Sequence, residues 1–193
     1  MDRQASRPSP IVLGVTGASG ALLAKRAIEC LLGLGYPLRL VCSRAGERVW
    51  REELDGEFAS FAEQLQSSGD VETYSVEDIG APIASGRLPT RGMLIVPCSM
   101  DALAALAQGR SANLLERAAD VTLKEGRRLV LVPRESPLSA VHLGNMLSLA
   151  RLGVRIVPPM PAFYRKPRTV EEVVDEVVER ALRALGLPEV AGQ

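Results

Sequence analysis

Apolar residues in this chain fall into short unbroken runs, and the segments between them carry apolar residues at helical spacing. Residues 11–15 (Ile-Val-Leu-Gly-Val), 38–42, 93–96, 129–132 and 154–157 predict buried strands, and 71–74 an edge strand. Helical spacing predicts helices over 21–32, 44–54, 101–107, 113–124, 139–152 and 169–185. Their stops and starts are marked: Gly33 and Gly35, Gly126 and Gly153 follow helices, and Asn113 is placed as an N-cap. Thr169 with Glu172 three residues on reads as a capping box. Residues 55–70 are polar and acidic with weak periodicity, and 81–90 read as a long loop. Strands alternating with helices predict right-handed βαβ units and an α/β, three-layer, flavodoxin-like (Rossmann-like) sandwich with a mostly parallel sheet. The expected organisation is a flexible segment over 1–10, one domain over 11–187 and a tail over 188–193, without internal repeats.

Each predicted strand runs directly into small or polar residues. After 11–15 comes Thr16-Gly17-Ala18-Ser19-Gly20, and then a helix. Strand, small-residue turn and helix place backbone N–H groups at a helix N-terminus, where they suit a phosphate. The turn has neither the Gly-Lys-Ser/Thr ending of a Walker motif nor the spacing G-x-G-x-x-G, so a plain tight turn is the alternative. Ser43-Arg44, Cys98-Ser99, Arg134-Glu135 and a loop with Phe163 and Tyr164 follow the other strands. Ligands of doubly wound sheets sit outside the carboxyl ends of the strands, so these ends together predict a phosphate-bearing small molecule. Arg134 and Glu135 lie between Pro133 and Pro137: the arginine suits phosphate or carboxylate, the glutamate proton transfer, and an exposed salt bridge is the alternative. Arg117, Asp120 and Lys124 share a helix face and read as a solvated charged surface.

Composition narrows the function further. Among 193 residues, 23 are Lys or Arg and 23 Asp or Glu, a balance that argues against bulk nucleic-acid or polybasic membrane binding. Aromatic residues make up only 4%, so the core is aliphatic. Cys30, Cys42 and Cys98 sit far apart in apolar segments and read as buried thiols. With a single histidine, His142, and no Cys-x-x-Cys, no metal site is expected; His142 reads as a hydrogen-bonded structural residue. The first ten residues lack an apolar signal core and no run spans a membrane, so a cytoplasmic protein is expected.

The sequence resembles UbiX-type flavin prenyltransferases over about residues 11–187. The resemblance rests on Val15-Thr-Gly-Ala-Ser-Gly20, Pro97-Cys-Ser-Met100, Asn113-Leu-Leu-Glu-Arg-Ala-Ala-Asp-Val121, Leu123-Lys-Glu125, Leu131-Val-Pro-Arg-Glu-Ser-Pro-Leu138, His142-Leu-x-Asn-Met146 and Pro161-Ala-Phe-Tyr164. It implies a homododecamer that joins the dimethylallyl group of dimethylallyl phosphate to N5 and C6 of reduced FMN without a metal, and hands the prenylated FMN to a UbiD-type decarboxylase. It implies FMN binding by Gly17, Ala18, Ser19, Ser43, Arg134 and the segment Ser99, Met100, Asp101, Ala102. Tyr164, Arg180, Lys124 and Arg117 would hold the prenyl phosphate, partly from a neighbouring subunit, and Glu135, Glu53 and Ser19 would be catalytic. Cations there would stabilise the departing phosphate, while the flavin's π face tolerates an allylic cation. Two departures stand out. Asp101-Ala102 occupy positions where many members have Lys-Thr, which brings a negative charge to the flavin loop, and the chain ends soon after the last helix. The alternatives are an FMN-dependent cysteine decarboxylase, whose mid-sheet histidine has no counterpart in residues 55–92, and a non-catalytic flavin carrier.

Overall fold

The computed structural model describes residues 8–68 and 70–188, so residues 1–7 of the expected flexible segment and residues 189–193 of the expected tail lie outside the described residues. In chain order the elements are β1 (Ile11–Val15), α1 (Ala21–Gly33), β2 (Leu38–Cys42), α2 (Arg44–Glu53), α3 (Phe58–Ser68), β3 (Val71–Tyr74), β4 (Gly92–Cys98), α4 (Met100–Ala107), α5 (Leu114–Lys124), β5 (Arg128–Pro133), α6 (Ala140–Arg151), β6 (Arg155–Ile156) and α7 (Val170–Leu185). One-turn 3₁₀ helices add Pro82–Ala84 and Phe163–Arg165. The six strands form one sheet in the order β3-β2-β1-β4-β5-β6, with every pairing parallel. The chain order reverses between β1 and β4, which makes that junction the topological switch point.

Both faces of the sheet are buried, which is why the strands read as continuous apolar runs rather than alternations. Ile11, Leu13 and Val15 of β1 join one core with α1, α7, Trp50 of α2 and Phe58 of α3. Val12 of β1 joins the other, with Leu103 of α4, Leu114 and Leu115 of α5 and Leu149 of α6. Gly14 lets α5 approach closely: a Cβ there would lie 3.2 Å from Leu115 Cδ1.

Helix α3 lies where no element is expected from the sequence. Its apolar residues Phe58, Phe61, Ala62 and Leu65 do stand at helical spacing, but the polar residues between them obscure it. The edge of Phe58 meets Trp50 at 5.1 Å between centroids, and Phe61 packs at 5.0 Å, closing α2 and α3 over one end of the core. The capping box expected at α7 is rearranged. Thr169 accepts from the Glu172 N–H, but the Glu172 side chain accepts from Arg168 N–H rather than Thr169 N–H. A complete box caps α6: Ser139 Oγ accepts from His142 N–H, and His142 Nδ1 accepts from Ser139 N–H. The single histidine is therefore a helix cap, the structural role expected of it.

Candidate functional site

Three helices begin at the carboxyl end of the sheet beside the switch point: α1 after β1, α2 after β2 and α4 after β4. Ser43 and Ser99 are N-caps, their hydroxyls accepting from Gly46 N–H (3.0 Å) and Ala102 N–H (3.2 Å). A buried threonine ties two of these ends together. Thr16 Oγ1 donates to Pro97 O (2.9 Å) and accepts from Ser99 N–H (2.7 Å), so the turn after β1 and the start of α4 are held in fixed register. The sequence places Thr16 in the turn but does not show this tie, because its partners are backbone groups more than eighty positions away.

Gly17 sits against α2 so tightly that a Cβ would lie 2.4 Å from Ala45 Cβ; no side chain fits there. Among the described residues, no protein acceptor takes the N–H groups of Gly17, Ala18 and Ser19. The N–H groups of Gly20 and Ala21 are different. Both donate to Glu53 Oε2 at 2.8 Å, and the Ser19 side chain lies beside the same carboxylate. The N-terminus of α1 thus already carries an anion, supplied by the last residue of α2. Burial alone would raise the Glu53 pKa, but the hydrogen bonds from Ser19, Gly20 and Ala21 and the nearby Arg134 charge outweigh it and hold the carboxyl below its usual range. Arg134 completes the cluster: its Nε donates to the carbonyl of Ser19 (3.2 Å). Glu135, next in the chain, is exposed and accepts from Ser136 N–H (2.9 Å). Residues from the ends of β1 and β5 and of α2 therefore meet over one crevice. Asp101 is exposed in the first turn of α4, beside Ser99, so its charge does face the same end of the sheet.

The remaining expected residues do not gather there. Helix α5 starts near the carboxyl edge of the sheet, where Leu114 N–H donates to Val76 O just past β3. It descends about 1.5 Å per residue towards the start of β5, so Lys124 lies at the opposite edge. Arg117, one turn along, pairs with Asp120 (2.8 Å) and donates to Ala84 O (3.3 Å), and Lys124 pairs with Glu125. Tyr164 and Arg180 form a second group, on the side of α7. Tyr164 is 81% exposed on the 3₁₀ turn Phe163–Arg165, and Arg180 donates to buried Glu176 at 2.6 Å.

The three cysteines are free and buried, as expected. Cys98, wholly buried, has its thiol pushed up to about 12, and burial raises Cys42 as well. No group of His, Cys, Asp or Glu that could hold a metal ion occurs among the described residues. Among them, too, no helix is long and apolar enough to cross a membrane.

Comparison with known proteins gives a consistent result. Residues 2–182 match the Flavoprotein family. The flavin prenyltransferase UbiX of Synechocystis is 50% identical over 188 residues, spanning 92% of this chain and 91% of its own. Among solved structures, the dodecameric FMN-dependent UbiX-like decarboxylase of Escherichia coli O157:H7 superposes with a TM-score of 0.88 at 42% identity, covering 95% of this chain and 97% of that one. AnUbiX (PadA1), in complex with FMN and dimethylallyl pyrophosphate, superposes with a TM-score of 0.87 at 41% identity and covers 94% of each chain.

Proposed function

The chain belongs to the UbiX family of flavin prenyltransferases, and from that premise we propose that it transfers the dimethylallyl group of dimethylallyl phosphate to N5 and C6 of reduced FMN. The observation that carries this reading is the cluster at the switch point, where Ser19, Glu53 and Arg134 interlock beside three open N–H groups. The site suits a flavin nucleotide: Gly17 lets the turn after β1 pack directly on α2, and two serine-capped helix N-termini lie at the same end of the sheet. Bound FMN supplies the nucleophile.

Glu53 already occupies the α1 N-terminus, and two anions do not share one helix end favourably. We therefore assign the FMN phosphate to the Ser43 and Ser99–Ala102 N-termini rather than to the first turn of α1, and the ring to Gly17, Ala18, Ser19 and Arg134. Glu53 is held ionised, so it acts as an acceptor. Ser19 lies beside Glu53, which places its hydroxyl to relay a proton from the reacting ring to that carboxylate. Glu135, exposed beside Arg134, is placed to relay the proton lost by the reacting ring to the departing phosphate.

Tyr164 and Arg180 of one chain and Arg117 and Lys124 of a neighbour are assigned to the phosphate of the prenyl donor. Support comes from the position of Lys124 at the far edge of its own sheet, and from the dodecameric relative. Val141, Leu143 and Leu147 leave an exposed apolar surface on α6, which suits burial between subunits of a homododecamer. On this reading residues 11–187 form one FMN-binding domain of a cytoplasmic enzyme, and a UbiD-type decarboxylase receives the prenylated FMN.

Anaerobic incubation with reduced FMN and dimethylallyl phosphate, followed by mass spectrometry of the flavin, tests the reading. A flavin heavier by one dimethylallyl unit is expected; bound but unmodified flavin overturns it. Glu135→Gln is expected to keep FMN binding and slow the transfer. His142 is engaged in the α6 cap, so the cysteine-decarboxylase alternative lacks its histidine.

A further inference from the structure

Glu176 is one of few charged side chains in the core, only 7% exposed, and the proposed reaction makes no use of it. Its Oε2 accepts from Ala162 N–H at 3.1 Å, and its Oε1 accepts from Arg180 at 2.6 Å. Arg165 Nε approaches the same Oε1 at 3.9 Å and also pairs with Glu179 at 3.6 Å. Ala162 and Arg165 bracket Tyr164 on the same one-turn helix. The turn itself is stiff. Arg165 N–H donates to Ala162 O (2.9 Å), Lys166 N–H donates to Phe163 O (3.0 Å), and Lys166 closes it in the left-handed region at φ 54°. The Arg165–Glu179 pair is a second, more exposed link between the turn and α7.

We infer that Glu176 is the positioning residue that joins the Tyr164 turn to Arg180, so that the hydroxyl and the guanidinium meet the prenyl phosphate as one preset pair. This rests on the assignment of Tyr164 and Arg180 to that phosphate. A buried carboxylate is costly unless fully satisfied, and this one is satisfied only when turn and helix adopt the observed offset. Arg180 uses one amino group on Glu176 and keeps its other donors for a ligand. Two effects oppose each other when the charge is removed: the local potential becomes more positive, which favours phosphate, and Arg180 loses its fixed rotamer. Because the guanidinium is close to half exposed, the Coulomb gain is screened, and loss of positioning decides the sign.

The test is Glu176→Gln in the full-length assembly, with KM for dimethylallyl phosphate and the dissociation constant for FMN measured in parallel. KM is expected to rise about tenfold with FMN affinity within about twofold of the parent. A double-mutant cycle with Tyr164→Phe is expected to be non-additive, the tyrosine substitution costing less in the Glu176→Gln background. Glu176→Asp keeps the charge but is a methylene too short to reach Ala162 and Arg180 together, and serves if the glutamine variant does not fold. Unchanged KM, full additivity with Tyr164→Phe, or an equal loss of FMN affinity overturns the inference. If the parent protein binds FMN but does not prenylate it, the functional reading fails instead, and the two failures are thereby distinguished.

Discussion

Glu53→Gln separates the electrostatic role of this carboxylate from its shape. Glutamine is nearly isosteric, so its amide oxygen can still accept from Gly20 and Ala21 N–H, now both 2.8 Å from Oε2. Two things are lost: the negative charge on the α1 N-terminus, and a proton acceptor beside Ser19, since the amide cannot take up a proton as a carboxylate does. An anion at a helix N-terminus contributes roughly 0.3–1 kcal/mol when exposed and more when sheltered. Glu53 is exposed, so about 1 kcal/mol is the reasonable figure after screening. In a domain of this size that corresponds to about 3 °C in Tm. The pH dependence follows from the direction of the shift. The folded pKa of Glu53 lies below its ordinary value of 4.5, so its contribution is complete above that value and disappears as pH falls through the folded pKa. Thermal melts of the two proteins should therefore differ at pH 7 and converge in acid. Catalysis should fall much further, by about a hundredfold, the lower end of what a positioned proton acceptor contributes. FMN affinity should hold or improve, because a negative charge has left the crevice. A melting difference that persists undiminished in acid, or turnover that falls only in step with FMN binding, would refute the reasoning.

Asp101→Asn removes a screened charge from the first turn of α4; a separation of about 6 Å in water gives roughly 0.7 kcal/mol, so FMN should bind about threefold tighter in a fluorescence titration. Glu116 is 3% exposed and accepts from Arg110 Nη2 (3.0 Å), Ala112 N–H (2.8 Å) and Asn113 Nδ2 (3.0 Å); Glu116→Ala should cost about 3 kcal/mol in denaturant unfolding. Burial opposes but those donors prevail in depressing its pKa, so this loss too should shrink as pH falls below the ordinary carboxylate range. The thiols of Cys30, Cys42 and Cys98 are buried and shifted upward, so a thiol reagent at pH 8 should titrate none in the native protein and all three in guanidinium chloride.

The sheet was legible in the sequence because strands buried on both faces leave unbroken apolar runs, and each one announces its carboxyl end with a change to polar residues. β1, β2 and β3 begin and end where those runs do. Helix α3 was not legible, since its apolar residues are diluted by Glu63, Gln64 and Gln66 and its partner Trp50 belongs to another element. Within the site, Gly17 and Ser19 are marked by local turn chemistry. The coupling of Ser19 to Glu53 is not, because a glutamate at the end of a highly charged helix looks like any solvated residue until α2 folds back on α1. The ties made by Thr16 to Pro97 and Ser99 and by Glu176 to Ala162 are not legible for the same reason: they depend on distant backbone groups, which no residue spacing records.

The distribution of charge explains why one folded chain falls short of a complete site on the proposed reading. At the turn after β1 a chain sets the carboxylates Glu53 and Glu135 beside Arg134, with Asp101 at the same end of the sheet and Arg44 already paired with Glu77, and Glu53 is engaged by Arg134 and the α1 N-terminus. That balance suits accepting and relaying protons but is poor for holding a doubly charged prenyl phosphate beside the phosphate of FMN. The cations suited to that task stand elsewhere, Arg180 on the flank of α7 and Lys124 at the opposite edge of the sheet. A helix of eleven residues spans about 16 Å, so no side-chain motion brings Lys124 to its own crevice. Only a second copy can place it there. On the proposed reading assembly is then a condition for substrate binding: an isolated chain would retain the proton-handling half of the site, and each added subunit would contribute the positive charge its neighbour lacks.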